Sequence, residues 1–185
     1  MWHLINKLDH ALLEISKLSI TDSLTHLFNR RKAQALLDEE IYRSVRYESD
    51  FSVILLDIDH FKYINDAYGH NTGDIVLVAI AKLLLDNVRK SDEVCRWGGE
   101  EFVIFCPNTS IDQAASLAEK LRITISSELF ADCCNVTCSF GVTSLLPSDS
   151  SEELINRADE ALYKAKNEGR NQVKAYDMAP LDCNL

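Results

Sequence analysis

The chain has 185 residues, 46% apolar and 26% charged, with only 6 glycines and 3 prolines; this suits one well-filled core and excludes collagen-like, low-complexity and disordered classes. Its 19 Lys and Arg against 29 Asp and Glu leave a formal charge of −10, which disfavours a nucleic-acid partner bound on a broad basic face and means that a phosphate-bearing ligand needs a metal or a few placed cations. No apolar run approaches the roughly 20 residues of a membrane helix, and Met1-Trp2-His3 opens into a charged amphipathic pattern rather than a signal peptide, so the chain reads as cytoplasmic with no membrane segment.

Leu4, Leu8, Ala11, Ile15 and Leu18 alternate steps of four and three residues. This two-heptad stripe predicts an N-terminal helical stalk over residues 1–20, either packed on its own domain or pairing two chains and joining them to an upstream sensor. After Asn29 a helix is expected through Tyr47, with Ala33, Leu36, Leu37, Ile41 and Val45 on one side. The continuous apolar run from Phe51 to Ile58 marks a central strand. A short helix (Phe61 to Tyr68), a Gly-containing loop (Gly69 to Gly73) and an apolar helix (Asp74 to Val88) follow. Glu93 to Trp97 and Glu101 to Cys106 read as two strands of a hairpin about Gly98-Gly99. Then come a helix from Ile111 to about Ser126, a strand from Val136 to Ser144, a helix from Glu152 to Asn167 and a last strand from Gln172 to Tyr176. Ser150 and Glu153 form a capping box for that last helix, and Gly169 stops it. The order predicts an α+β fold, a mostly antiparallel sheet covered by helices over residues 21–178, with a polar tail at 179–185.

Of the six cysteines, Cys95 and Cys106 lie in apolar strands and Cys133, Cys134 and Cys138 precede another, so reduced, mostly buried thiols are expected rather than disulfides or zinc ligands. The glycine-rich phosphate loops, the H-E-x-x-H pair and the G-x-S-x-G elbow are all missing from the sequence. What remains is carboxylates at strand ends. Asp57 and Asp59 lie two residues apart at the end of the buried strand, and Glu100 and Glu101 follow the Gly-Gly turn. Singly, Asp59 reads as a helix cap and the glutamates as a solvated hairpin shoulder. Together they offer hard oxygens from two strands, which is how Mg²⁺ is held when substrate phosphates complete its shell.

Arg96-Trp-Gly-Gly-Glu-Glu-Phe102 resembles the signature of the GGDEF family of diguanylate cyclases, in its GGEEF form. The resemblance extends over nearly the whole chain: Asp22-Ser-Leu-Thr-His-Leu-Phe-Asn-Arg-Arg31 resembles the family's opening block, with His26 where Gly is usual, and the stretches from Leu56 to Asp74, Val136 to Gly141 and Ala158 to Asn171 resemble three others. It implies a ferredoxin-like palm, related to class III nucleotide cyclases and polymerases. Two domains of a homodimer would each hold one GTP, so that each 3′-hydroxyl attacks the partner nucleotide's α-phosphate, giving cyclic di-GMP and two pyrophosphates.

By the same resemblance Asp57, Glu100 and the carbonyl of Ile58 are the implied ligands of Mg²⁺, with Mn²⁺ as the alternative. Glu100, Glu101 and Lys62 are the implied catalytic side chains. Glu100 accepts the 3′-hydroxyl proton, Lys62 meets charge developing on the phosphates, and Glu101, facing away from Glu100, supports the turn. Lys166 and Arg170 clamp the outer phosphates. Asn65 and Asp74 read guanine, whose N1–H and 2-amino group suit a carboxylate acceptor, His70 lies beside the nucleotide, and Phe61 belongs to the core. Arg89 and Asp92 have the spacing of the family's R-x-x-D site for inhibitory cyclic di-GMP; the secondary arginine of some relatives falls at Lys120. Two other functions remain open to the sequence: a catalytically silent module that binds GTP or cyclic di-GMP as receptor or scaffold, and a metal-dependent phosphotransfer enzyme on a palm-like sheet.

Overall fold

A computed structural model of the protein describes residues 20–130 and 134–176. The stalk stripe, Cys133 and the tail with Cys183 lie outside the described residues. Phe51–Ile58 is strand β2, buried at every position. Antiparallel neighbours flank it on both sides, β4 (Glu101–Pro107) and β7 (Cys138–Ser144). Beyond β4 come β3 (Glu93–Gly98), antiparallel to it, and the two-residue β1 (Phe28–Asn29), parallel to β3. Beyond β7 comes β8 (Val173–Ala175), parallel to it. The sheet order is therefore β1-β3-β4-β2-β7-β8, with antiparallel pairing inside and parallel pairing at the edges. That is the mostly antiparallel sheet expected.

Strand alternation divides the apolar residues of β2 between two cores. Ile54, Leu56 and Ile58 pack beneath α2 (Phe61–Tyr68), α3 (His70–Asn87) and α4 (Ile111–Ser127), against residues such as Val76, Ile80 and Leu121. Phe51, Val53 and Leu55 pack beneath α1 (Arg30–Tyr47) and α5 (Ser151–Asn167), against Leu37, Ala158 and Leu162. Each such side chain, taken wholly out of water, contributes about 1.5–3 kcal/mol. Asp57 continues the second series and Ile58 the first, so the strand ends with its carboxylate on the α5 side.

Helix starts follow side-chain capping where the sequence provides it. Asn29 accepts from the Lys32 N–H at 3.1 Å, and Ser150 with Glu153 makes the expected capping box. A second box, Ser110 with Gln113, starts α4. Three expectations need correction. The loop placed at Gly69 to Gly73 is mostly helix, because α3 begins at His70, and Gly73 is a buried packing position rather than a breaker. Asp59 caps nothing: the N-cap of α2 is His60, with φ of 56°, and the Asp59 carboxylate is engaged by β7. The strand expected from Val136 starts two residues later, at Cys138. β1 and a separate small hairpin of β5 (Leu129–Phe130) with β6 (Cys134–Asn135) were not expected. Cys95, Cys106 and Cys138 are free and buried, as read; burial pushes the first two thiols up to about 12 and Cys138 well above its usual range.

Candidate active site

The end of β2 collects charge from three elements. Asp57 is 9% exposed. Its cross-strand partners are Glu101 on β4 and Ser139 on β7. The Nζ of Lys166, in the last turn of α5, lies 2.8 Å from Asp57 Oδ2. Burial pushes the Asp57 carboxyl up, Lys166 pulls it partly back, and the charges of Glu100 and Asp59 add to the rise. Glu101 is raised as well, by burial first and then by Asp57. Directly opposite residues share a face of the sheet, so Glu101 stands beside Asp57 as well as at the edge of the turn where it was expected to serve.

Gly99 and Glu100 carry the chain from β3 to β4. Gly99 takes φ of 42°, and the ladder shifts register between Arg96 and Gly98. The Ile58 N–H donates to the Glu100 carbonyl at 3.3 Å, which fastens the turn to the end of β2. Asp57, Ile58 and Glu100, the three implied metal ligands, are thus brought to one place. Their oxygens are hard donors suited to Mg²⁺, and the Lys166 ammonium shows that the pocket accommodates a cation. Among the described residues no three acidic, His or Cys side chains enclose a point by themselves. The side chains alone would not enclose a metal here, and the Ile58 carbonyl is the further protein oxygen at hand.

Lys62 is exposed on the first turn of α2, and Asn65 is half-buried one turn on. The backbone of Gly73 comes so near Asn65 that a Cβ there would lie 2.0 Å from its Oδ1. Asp74, the next residue, is exposed at the same helix junction, with His70 exposed one turn earlier. Arg170 follows α5, exposed and with φ of 62°. Lys166, implied to hold phosphates, is here the ion-pair partner of Asp57.

Arg89 and Asp92 form a closed turn. The Arg89 N–H donates to Asp92 Oδ2 at 2.9 Å, and the Asp92 N–H to the Arg89 carbonyl at 3.0 Å. They line a cavity of about 460 Å³ between the end of α3 and α4, and Lys120 lines it too.

Two residues with no assigned role hold the turn in place. Arg96 donates from Nε and Nη2 to the Gly99 carbonyl at 3.0 and 2.7 Å, and from Nη1 to Asp22 Oδ1 at 2.9 Å. Asp22 Oδ1 also accepts from the N–H and hydroxyl of Thr25. Burial raises the Asp22 carboxyl, but the bonds from Thr25 and Arg96 outweigh it and hold the group below its ordinary range. The contact joins positions 74 residues apart, and no local pattern announces it. His26, the departure from the family's glycine, lies in this opening turn with φ of 59°. Such a φ accounts for glycine at the position.

Residues 19–172 match the family model described as diguanylate cyclase, GGDEF domain. The chain belongs to that family. It is 44% identical over 154 residues to diguanylate cyclase DgcM of Escherichia coli, covering 83% of this chain and 38% of the relative. It is 43% identical over 177 residues to the response regulator PleD of Caulobacter vibrioides, covering 92% of this chain and 38% of that protein. The match therefore spans well under half the length of these relatives. The fold is similar to the GGDEF domain of DgcB from Caulobacter crescentus, solved in complex with c-di-GMP, with a TM-score of 0.82, 34% identity, and 86% and 94% of the two chains covered. It is also similar to the active GGEEF domain of a diguanylate cyclase from Vibrio cholerae, with a TM-score of 0.78, 37% identity, and 82% and 98% covered. The α+β palm of this family is the fold of this chain.

Proposed function

We propose that this domain is one half-site of a diguanylate cyclase, condensing two GTP into cyclic di-GMP and two pyrophosphates when two copies face each other. The observation that carries the reading is the meeting of Asp57, the Glu100 turn and Lys166 at the end of β2 in a chain that keeps Gly98, Gly99 and Glu100 of the signature. Asp57, Glu100 and the Ile58 carbonyl would hold Mg²⁺ or Mn²⁺, which when bound neutralises triphosphate charge and makes the 3′-hydroxyl more acidic.

The chain's own residues do the rest. Asn65 and Asp74 read the guanine edge, with His70 beside the nucleotide. Lys62 and Arg170 meet the phosphates. Lys166, paired with Asp57 here, would turn to the outer phosphates of the bound nucleotide. Glu100 accepts the 3′-hydroxyl proton as that oxygen bonds to the partner nucleotide's α-phosphorus and pyrophosphate departs. Glu101 supports the turn and keeps negative charge beside Asp57. The cavity at Arg89, Asp92 and Lys120 receives the product as a feedback inhibitor, and the stalk stripe helps pair the two copies.

Glu100→Gln keeps the side-chain volume and removes its charge. The expected result is a melting curve like that of the parental protein and a fall in cyclic di-GMP formation of at least about 100-fold. Turnover at the parental rate would overturn the assignment of Glu100.

A further inference from the structure

Gly169, Arg170 and Asn171, which follow the C-cap Glu168 of α5, have φ of 119°, 62° and 44°. Three left-handed residues in succession, two of them with a Cβ, persist only where the surroundings impose them. The helix end closes part of the turn, the Arg170 N–H donating to the Ala165 carbonyl at 3.0 Å, and the contacts from other elements converge on Asn171. Its N–H donates to Asp59 Oδ2 at 3.0 Å, and its side-chain oxygen accepts from Arg122 Nη1 at 2.9 Å.

Both partners are themselves fixed. Asp59, 5% exposed, also accepts from the hydroxyls of Thr137 and Ser139, each at 2.7 Å. Arg122, on α4, spends its Nε and Nη2 on the two carboxylate oxygens of Glu119 at 2.8 and 2.7 Å, which leaves Nη1 aimed at Asn171. The end of α5 is therefore tied to the end of β2 twice, by Lys166 to Asp57 and by Asn171 to Asp59, and Arg170 lies between the ties.

We propose that Arg122 and Asp59 are positioning residues for Arg170, holding the left-handed turn from which its side chain reaches the nucleotide's phosphates. This rests on the phosphate role given to Arg170 above. It also gives the second aspartate of Asp57-Ile58-Asp59 a task distinct from metal binding.

The test is a double-mutant cycle read as affinity for a GTP analogue with a methylene bridge between its α- and β-phosphates, measured by calorimetry with Mg²⁺ on the full chain. This readout needs no turnover, so a parental protein that binds the analogue and makes no cyclic di-GMP would sink the cyclase reading while the cycle still decides the positioning. Arg170→Ala and Arg122→Ala should each weaken binding by roughly 5- to 20-fold, and the double variant should bind no more weakly than Arg170→Ala. Arg122→Lys, which keeps a donor for Asn171, should recover most of the affinity, and the Arg122→Ala melting temperature should stay within a few degrees of the parental value. Parental affinity in Arg122→Ala, or two losses that multiply in the double variant, would overturn the proposal. Parental affinity in Arg170→Ala would overturn it together with the phosphate role of Arg170.

Discussion

Asp57 holds a raised carboxyl against Lys166 because burial and two neighbouring acids work against one ammonium. A divalent cation would relieve the same crowding more fully than one ammonium does. The proposed guanine-reading end depends on a different local fact, the missing side chain at Gly73. A methyl group there would collide with the end of the Asn65 side chain, at 2.0 Å from Oδ1 and 3.0 Å from Cγ. The Asn65 amide can swing away while the helix backbone stays in place. Gly73→Ala should therefore fold with a melting temperature within a few degrees of the parental one and bind GTP about 10-fold more weakly, the cost of one misplaced hydrogen-bonding group. Calorimetry with the GTP analogue checks this, and unchanged affinity would remove Asn65 from the guanine site.

At the scale of elements, the position of α5 decides whether Lys166 and Arg170 reach the end of β2. A glycine sets that distance. A Cβ at Gly141 in β7 would lie 2.1 Å from the Ala158 carbonyl oxygen and 2.4 Å from the Leu162 nitrogen, both backbone atoms that cannot turn aside. Gly141→Ala should cost about 2–4 kcal/mol of stability in urea unfolding; a loss under about 0.5 kcal/mol would mean that the helix is free to ride outward. The elements themselves were legible in proportion to their length and punctuation. β2 was read from its unbroken apolar run, and α5 from its capping box and closing glycine. Gly73 misled because glycine near a turn signals a breaker, whereas here it lets two helices touch. β1, β5 and β6 have two residues each, too few to show any period. That Asp57 and the Glu100 turn meet was legible from strand ends and the resemblance, but the contacts of Asp59 were not, since its donors lie 78, 80 and 112 residues away.

At the scale of the molecule, the proposed function asks a chain of charge −10 to bind a triphosphate. The cations proposed for it are few and individually placed, Lys166 against Asp57 at the end of β2, Arg170 just after α5 and Lys62 on the first turn of α2, rather than spread over a face. A palm with one nucleotide site cannot close a cyclic dinucleotide alone, so the central claim is that two such sites cooperate on two GTP molecules. The direct measurement is chromatographic separation of the products after purified protein at micromolar concentration is given GTP and Mg²⁺. The expected result is cyclic di-GMP appearing with two pyrophosphates for each molecule formed; GTP recovered intact from protein that demonstrably binds it would contradict the cyclase and leave a receptor in its place.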